Sequence, residues 1–215
     1  MAQRSNDPSA RLSNQIGRSV SPCFTPGTLI ATPRGEVAVE ELRMGDKVIT
    51  RDNGFQEIVW LGARKLGWAD LGADPHLKPI VISQGSLGHG LPESDLMVSP
   101  NHRILVTNDH TALRFNETEV LVSAKHLITG RSIYEVNSGG TTYIHFMFSR
   151  HQVVLSNGAW TESFQPSDFA LKGLGNAQRN EIFEILPELK VAEAANPYMA
   201  ARPVRTAADL VEATR

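Results

Sequence analysis

Cys23-Phe24-Thr25-Pro26-Gly27-Thr28-Leu29-Ile30-Ala31-Thr32 opens the stretch that decides how this chain folds. It continues through Pro33-Arg34-Gly35, Val37-Ala38-Val39-Glu40-Glu41-Leu42 and Gly45-Asp46-Lys47-Val48-Ile49-Thr50. Two short runs rich in β-branched residues flank a Pro/Gly turn, and a second tight turn follows at Met44-Gly45-Asp46. Apolar runs between such breakers are what short, half-buried strands require. The only cysteine of the protein stands at the head of the stretch. Ser21-Pro22 precedes it, and a proline ring pushes the residue before it out of the helical region, so the backbone entering Cys23 is expected to be extended. An extended entry suits the edge of a sheet. It equally leaves the peptide bond before Cys23 within reach of the thiol.

Downstream, Phe55-Gln56-Glu57-Ile58-Val59-Trp60-Leu61-Gly62 continues as strand, Lys65 to Leu77 reads as a loop, and Pro79-Ile80-Val81-Ile82 as another short strand. Gly85 to Pro92 carries three glycines and reads as a loop. In Asp95 to Val106 two apolar strands flank a Ser-Pro-Asn turn that ends in His102. Thr111 to Asn116 and Val120-Leu121-Val122 form a hairpin-like pair, and Ser123 can cap one helical turn reaching Leu127. Thr142 to Phe148 alternates as a strand, and a second strand runs to Asn157-Gly158, a strong tight-turn pair. Helical periodicity longer than a turn or two begins only after residue 165. There Ser167 and Thr206 are cap candidates, and Asn176 to Leu186 reads as a helix stopped by Pro187. Many short strands with Gly/Pro turns and no crossover helices define an all-β fold class with a small C-terminal helical appendage.

A chain of 215 residues implies one domain with tails. Residues 1–20 offer little to bury and read as disordered or loosely attached; residues 21–165 hold the β domain and 166–215 a helical extension. The hydrophobic share of 41% suffices for a sizeable core. A net charge of −2 with mixed signs argues against nucleic acid or a membrane surface as the main partner. No apolar run approaches the roughly 18 residues that span a bilayer. Met1 to Pro22 lacks the apolar segment of a secretory signal peptide, which leaves the cytoplasm as the default location. One cysteine excludes an internal disulfide. His76, His89, His110 and His126 lack the closely spaced ligand pairs of a zinc site, so no metal and no cofactor is expected.

Three blocks stand in order: Cys23 with its Thr-Pro-Gly-Thr and Gly-Asp turns; Ser99-Pro100-Asn101-His102; and Thr142 to Gly158, with His145, His151 and the Asn-Gly turn. Together they resemble the hedgehog/intein (Hint) superfamily of self-processing domains over about residues 21 to 165. The resemblance implies a horseshoe of short, strongly curved strands, and a leading cysteine that attacks the peptide bond on its own N-terminal side. Ser99 stands where the family's Thr-x-x-His motif has threonine, which keeps the hydroxyl, and His102 matches the histidine. His151 matches the histidine of the late block, and His145 falls near the position where many inteins carry an acid. Splicing inteins end in His-Asn followed by Cys, Ser or Thr. Here Ser156-Asn157-Gly158-Ala159 has neither the preceding histidine nor a second thiol. The pattern is closer to bacterial intein-like and hedgehog-type domains, which act on the N-terminal side.

The chemistry this implies is an N-to-S acyl shift. Cys23 attacks the carbonyl carbon of Pro22, Ser99 holds the bond, His102 protonates the departing nitrogen, and His151 or His145 activates the thiol. A free cysteine has a pKa of about 8.5, so a neighbouring group must raise its reactivity. The substrate is the chain's own N-terminal flank, and water or a thiol would open the thioester and release residues 1–22. A prolyl carbonyl at the attacked position is crowded. Two other readings remain. Cys23 with His102 or His151 can form a cysteine-peptidase dyad acting on other chains, or the chain can be a structural or binding β domain that has lost processing.

Overall fold

The computed structural model describes residues 21–107, 118–167, 170–171, 174–190, 198–206 and 209. β1 (Leu29–Thr32) and β2 (Gly35–Ala38) form the expected hairpin, with Leu29 opposite Ala38 and Thr32 opposite Gly35. Gly35 takes φ of 97°, a conformation that a side chain would strain, so the turn after Pro33-Arg34 requires the glycine. β3 (Lys47–Thr50) and β4 (Gly54–Glu57) form the next hairpin.

The strand expected over Phe55 to Gly62 is interrupted. Ile58 N–H donates to Asp46 O at 2.9 Å and Val59 N–H to Met147 O at 2.8 Å, so the two halves join different partners. β5 (Trp60–Gly67) then runs against the whole of β11 (Gly140–Met147). The loop expected over Lys65 to Leu77 is therefore corrected. It contains the end of β5, a helix α1 (Trp68–Ala73) and a 3-10 turn at Pro75–Leu77. Gly67 N–H donates to Asp70 Oδ2 at 2.8 Å, which satisfies a free donor where α1 begins.

β6 (Ile80–Ile82) lies between β7 (Leu96–Val98) and β10 (Ile133–Glu135). β8 (Arg103–Thr107) lies between β9 (Glu119–Ser123) and β13 (Ala159–Glu162), and β13 pairs with β12 (Val153–Ser156). The largest sheet runs β14 (Val204–Arg205), β9, β8, β13, β12, β1, β2, with β3 and β4 branching from β12. The segment Thr111 to Asn116 lies outside the described residues. Val120 to Val122 is strand, as expected, but its partner is β8. Asn157 and Gly158 have φ of 45° and 76°, a two-residue turn of the primed kind that matches the twist of β12 and β13.

The fold is all-β with a small helical appendage. α2 (Asn176–Ile185) ends before Pro187, as expected. It buries Ile182 against Trp60, Met147 and Phe164, while Trp60 Nε1–H donates to Glu181 Oε2 at 3.0 Å. Residues 198–206 lie across the β domain as a strap. Tyr198 O–H donates to Phe148 O at 2.8 Å, and β14 pairs in parallel with β9. At the other end Ser21 and Pro22 are buried.

Phe24 explains how the cysteine is placed. Its backbone bridges Val98 and Ile144, with Phe24 N–H donating to Ile144 O at 2.9 Å and Ile144 N–H returning to Phe24 O at 3.0 Å. Its ring is buried, stacked on Phe146 with centroids 5.1 Å apart. A side chain of that size contributes about 1.5–3 kcal/mol on burial. Cys23 is thereby pinned between the end of β7 and the middle of β11.

Candidate active site

Ser99, at the end of β7, holds the backbone on both sides of Pro22. Its Oγ accepts from Cys23 N–H at 2.9 Å and its hydroxyl donates to Ser21 O at 2.9 Å, while its own N–H donates to Cys23 O at 3.0 Å. The Ser-Pro-Asn turn fixes it there, through His102 N–H to Ser99 O at 3.0 Å. Ser21 Oγ donates in turn to Ala170 O at 2.8 Å, so the C-terminal extension anchors the residue before the proline.

The Cys23 side chain packs among Leu66, Leu71, Leu77 and Tyr143. Burial pushes its thiol well above the usual range, with the Ser99 hydroxyl and the Arg64 charge pulling the other way. The resting group is thus a thiol, and its S–H donates to Ser21 O at 2.9 Å. Leu66, Leu71 and Leu77 all come from the segment that reads as a loop in the sequence.

His145, on β11, has Nδ1 3.1 Å from Pro22 O and Nε2 3.9 Å from Cys23 Sγ. A carbonyl oxygen only accepts, so Nδ1 carries the hydrogen and Nε2 keeps its lone pair toward the sulfur. Burial lowers the His145 pKa to about 4, against the hydrogen bond to Pro22, so the ring is neutral near pH 7. One ring therefore faces both the carbonyl oxygen and the sulfur.

His102 is buried with its ring edge-on to Phe24, centroids 4.4 Å apart. Neither ring nitrogen has a hydrogen-bond partner among the described residues. Burial brings its pKa down to about 4. His151 is engaged elsewhere. Its Nδ1 accepts from Ala201 N–H at 2.9 Å, and Nε2–H faces Ser163 O at 3.2 Å and Glu162 Oε2 at 3.3 Å. Of the residues expected from the sequence, Cys23, Ser99 and His145 meet at the Pro22–Cys23 bond. His102 backs Phe24, and none of the hydrogen bonds of His151 reaches residues 21–23.

Glu162 was not foreseen. It is fully buried at the end of β13, accepts from Arg103 N–H at 2.9 Å and Arg103 Nη1 at 3.1 Å, and faces His151. Burial alone would raise its pKa, but the hydrogen bond from His151 and the charge of Arg103 outweigh that and hold the carboxylate below its ordinary range. No local pattern marks it, because its partners come from β8 and from the chain before β12.

The Hint domain family matches residues 22–168, well over half of the chain. This chain belongs to the Hint domain family. Solved structures similar to it include a bacterial intein-like domain from Clostridium thermocellum, at 13% identity, covering 67% of this chain and 99% of that one with a TM-score of 0.42. A DnaB intein from Synechocystis is 12% identical over 66% of this chain and 99% of its own, with a TM-score of 0.43. The gp41-1 intein is 14% identical over 66% and 98%, with a TM-score of 0.40. Among curated proteins none matches the sequence significantly.

In this Hint domain the other end of the motif region is a clamp. Asn157 Oδ1 accepts from Leu29 N–H at 2.7 Å, its Nδ2 donates to Asp95 O at 2.9 Å, and its backbone N–H donates to Leu29 O at 2.9 Å. Among the described residues no group of three His, Cys, Asp or Glu is placed to hold a metal ion.

Proposed function

We propose that this Hint domain cleaves its own chain between Pro22 and Cys23 through a thioester, without full splicing. The observation that carries the reading is the double contact of His145, 3.1 Å to the Pro22 carbonyl oxygen and 3.9 Å to the Cys23 sulfur. Rotation of the S–H bond from Ser21 O toward Nε2 aligns the proton transfer. The thiol proton passes to Nε2 as Sγ attacks the Pro22 carbonyl carbon, and Nδ1–H stays on the developing oxyanion. The C–N bond then breaks, and the thiol proton ends on the Cys23 nitrogen. Ser99 Oγ is the hydroxyl in contact with that nitrogen. His102 makes no hydrogen bond to the bond and acts by backing Phe24. Water or a thiol opens the thioester, giving an acid or a new thioester at Pro22 and a free thiol and amine at Cys23.

Attack by a neighbouring residue supplies proximity worth on the order of 7 kcal/mol when geometry is right. Burial of Ser21 and Pro22 supports action on the chain itself rather than on other chains, since the thiol is already filled by its own backbone. The engaged Asn157, preceded by Ser156, supports action on the N-terminal side alone.

Intact mass after prolonged incubation with hydroxylamine, a small neutral nucleophile, tests this. A fragment ending at Pro22 and a partner beginning at Cys23 are expected. A folded protein left whole would remove the proposal, and steady turnover of added peptides would favour the peptidase reading.

A further inference from the structure

A cavity of about 190 Å³ has Pro22, the residue just before Cys23, as part of its wall. At roughly 30 Å³ per water molecule it holds on the order of six waters, enough for a small molecule. Its walls come from the turn after β7, from β8 and β9, and from the C-terminal extension, including Ala170 and Arg205. Arg103, Lys125 and Arg205 line it, and among the described lining residues none is Asp or Glu. The charges behind the wall are uneven. Arg103 is matched by the buried Glu162, and the Asp209 carboxylate holds Thr206 N–H at 2.7 Å beside Arg205. Lys125 is exposed and forms no ion pair among the described residues. The cavity thus carries a positive field beside Pro22.

We infer that this cavity admits the nucleophile that opens the Cys23 thioester, and that it favours a small thiol carrying an anionic group. The inference rests on the self-cleavage proposed above and names the chemical class of the second substrate. In the step, the incoming thiolate forms an S–C bond to the Pro22 carbonyl carbon. The C–Sγ bond breaks, the electron pair leaves on Cys23 Sγ, and that sulfur takes up a proton. The anionic group rests against Lys125 while the sulfur reaches Pro22. The field attracts such a molecule and is weakened by salt.

Three small thiols of similar length test this: 2-mercaptoethanesulfonate, 2-mercaptoethanol and cysteamine. Each cleavage rate at the Pro22–Cys23 bond is divided by the rate of the same thiol with a free thioester at the same pH, which removes intrinsic reactivity. The anionic thiol is expected to exceed the cationic one by tenfold or more, with the neutral thiol between them. Lys125→Gln should bring the ratio close to one, and Lys125→Glu should reverse it, with hydroxylamine cleavage unchanged in both. Equal normalised rates in the parent protein, or an anionic preference that survives in Lys125→Glu, overturn the inference while cleavage by hydroxylamine leaves the self-cleavage standing. No cleavage by hydroxylamine in the parent overturns both.

Discussion

Two junctions of this chain, Pro22–Cys23 and Asn157–Gly158, are held by β1 or its leader, the first buried and the second buried at Asn157, yet they differ in how their polar groups are used. At Asn157 the backbone N–H and both ends of the side-chain amide are spent on Leu29 and Asp95. At Cys23 the sulfur and His145 Nε2 stand 3.9 Å apart, and the thiol proton rests on a backbone carbonyl that can release it. Fully satisfied polar groups stabilise a turn, whereas unspent ones leave room for a reaction. On the proposed self-cleavage, the first junction serves the chemistry and the second the architecture.

The sharpest way to break this contrast is Cys23→Ala, which should abolish all cleavage by intact mass while circular dichroism and thermal unfolding remain those of a folded protein. Any residual cleavage before residue 23 would end the assignment of the nucleophile.

Next comes His145→Gln. Loss of the base and of the carbonyl donor together should slow thioester formation by roughly 10²- to 10⁴-fold in single-turnover cleavage, the range of a positioned acid–base group. A parent-like rate would transfer the base role away from His145.

A third measurement follows stability against pH. His102 and His145 have folded pKa values of about 4 against 6.5 for the ordinary group. The unfolded chain therefore takes up protons below about pH 6.5 that the folded state refuses until pH 4. Stability should fall as pH drops through that window, by roughly 3 kcal/mol per ring at full effect, since each pKa unit is worth about 1.4 kcal/mol. Urea midpoints between pH 4 and 7 should show the slope, and His102→Phe should lessen it. An unchanged slope in that variant would mean that His102 is not held neutral.

The smallest expected effect is at the second junction. Asn157→Ala removes two part-buried hydrogen bonds at a position with φ of 45°, and should cost about 2 kcal/mol in urea unfolding. The cleavage rate of the folded fraction should stay the same. A change in that rate would tie the two junctions together and weaken the contrast between them.

Much of this molecule was legible because its turns are local chemistry. Pro33-Arg34-Gly35, Met44-Gly45-Asp46, Ser99-Pro100-Asn101 and Asn157-Gly158 each bend the chain by residues a few positions apart, and the strands between them follow. The Lys65 to Leu77 segment was not legible. Its strand half is defined by pairing with β11, and its helix is too short for a clear period. That misread segment supplies Leu66, Leu71 and Leu77 to the shell that desolvates Cys23. Glu162 escaped notice for the same reason, since a carboxylate at the end of a strand reads as exposed until Arg103 and His151 are brought to it.

The sequence by itself determined the all-β class, the order of the three blocks, and the presence of a thiol, a hydroxyl and histidines in those blocks. These follow from side-chain type and from turns whose energies are local. Only the tertiary structure decided which histidine faces the bond. β11 places His145 on Pro22, while Phe24 takes the ring of His102 and Ala201 takes that of His151. Distance between side chains is set by strand register and packing across the whole chain, which no local pattern of residues encodes.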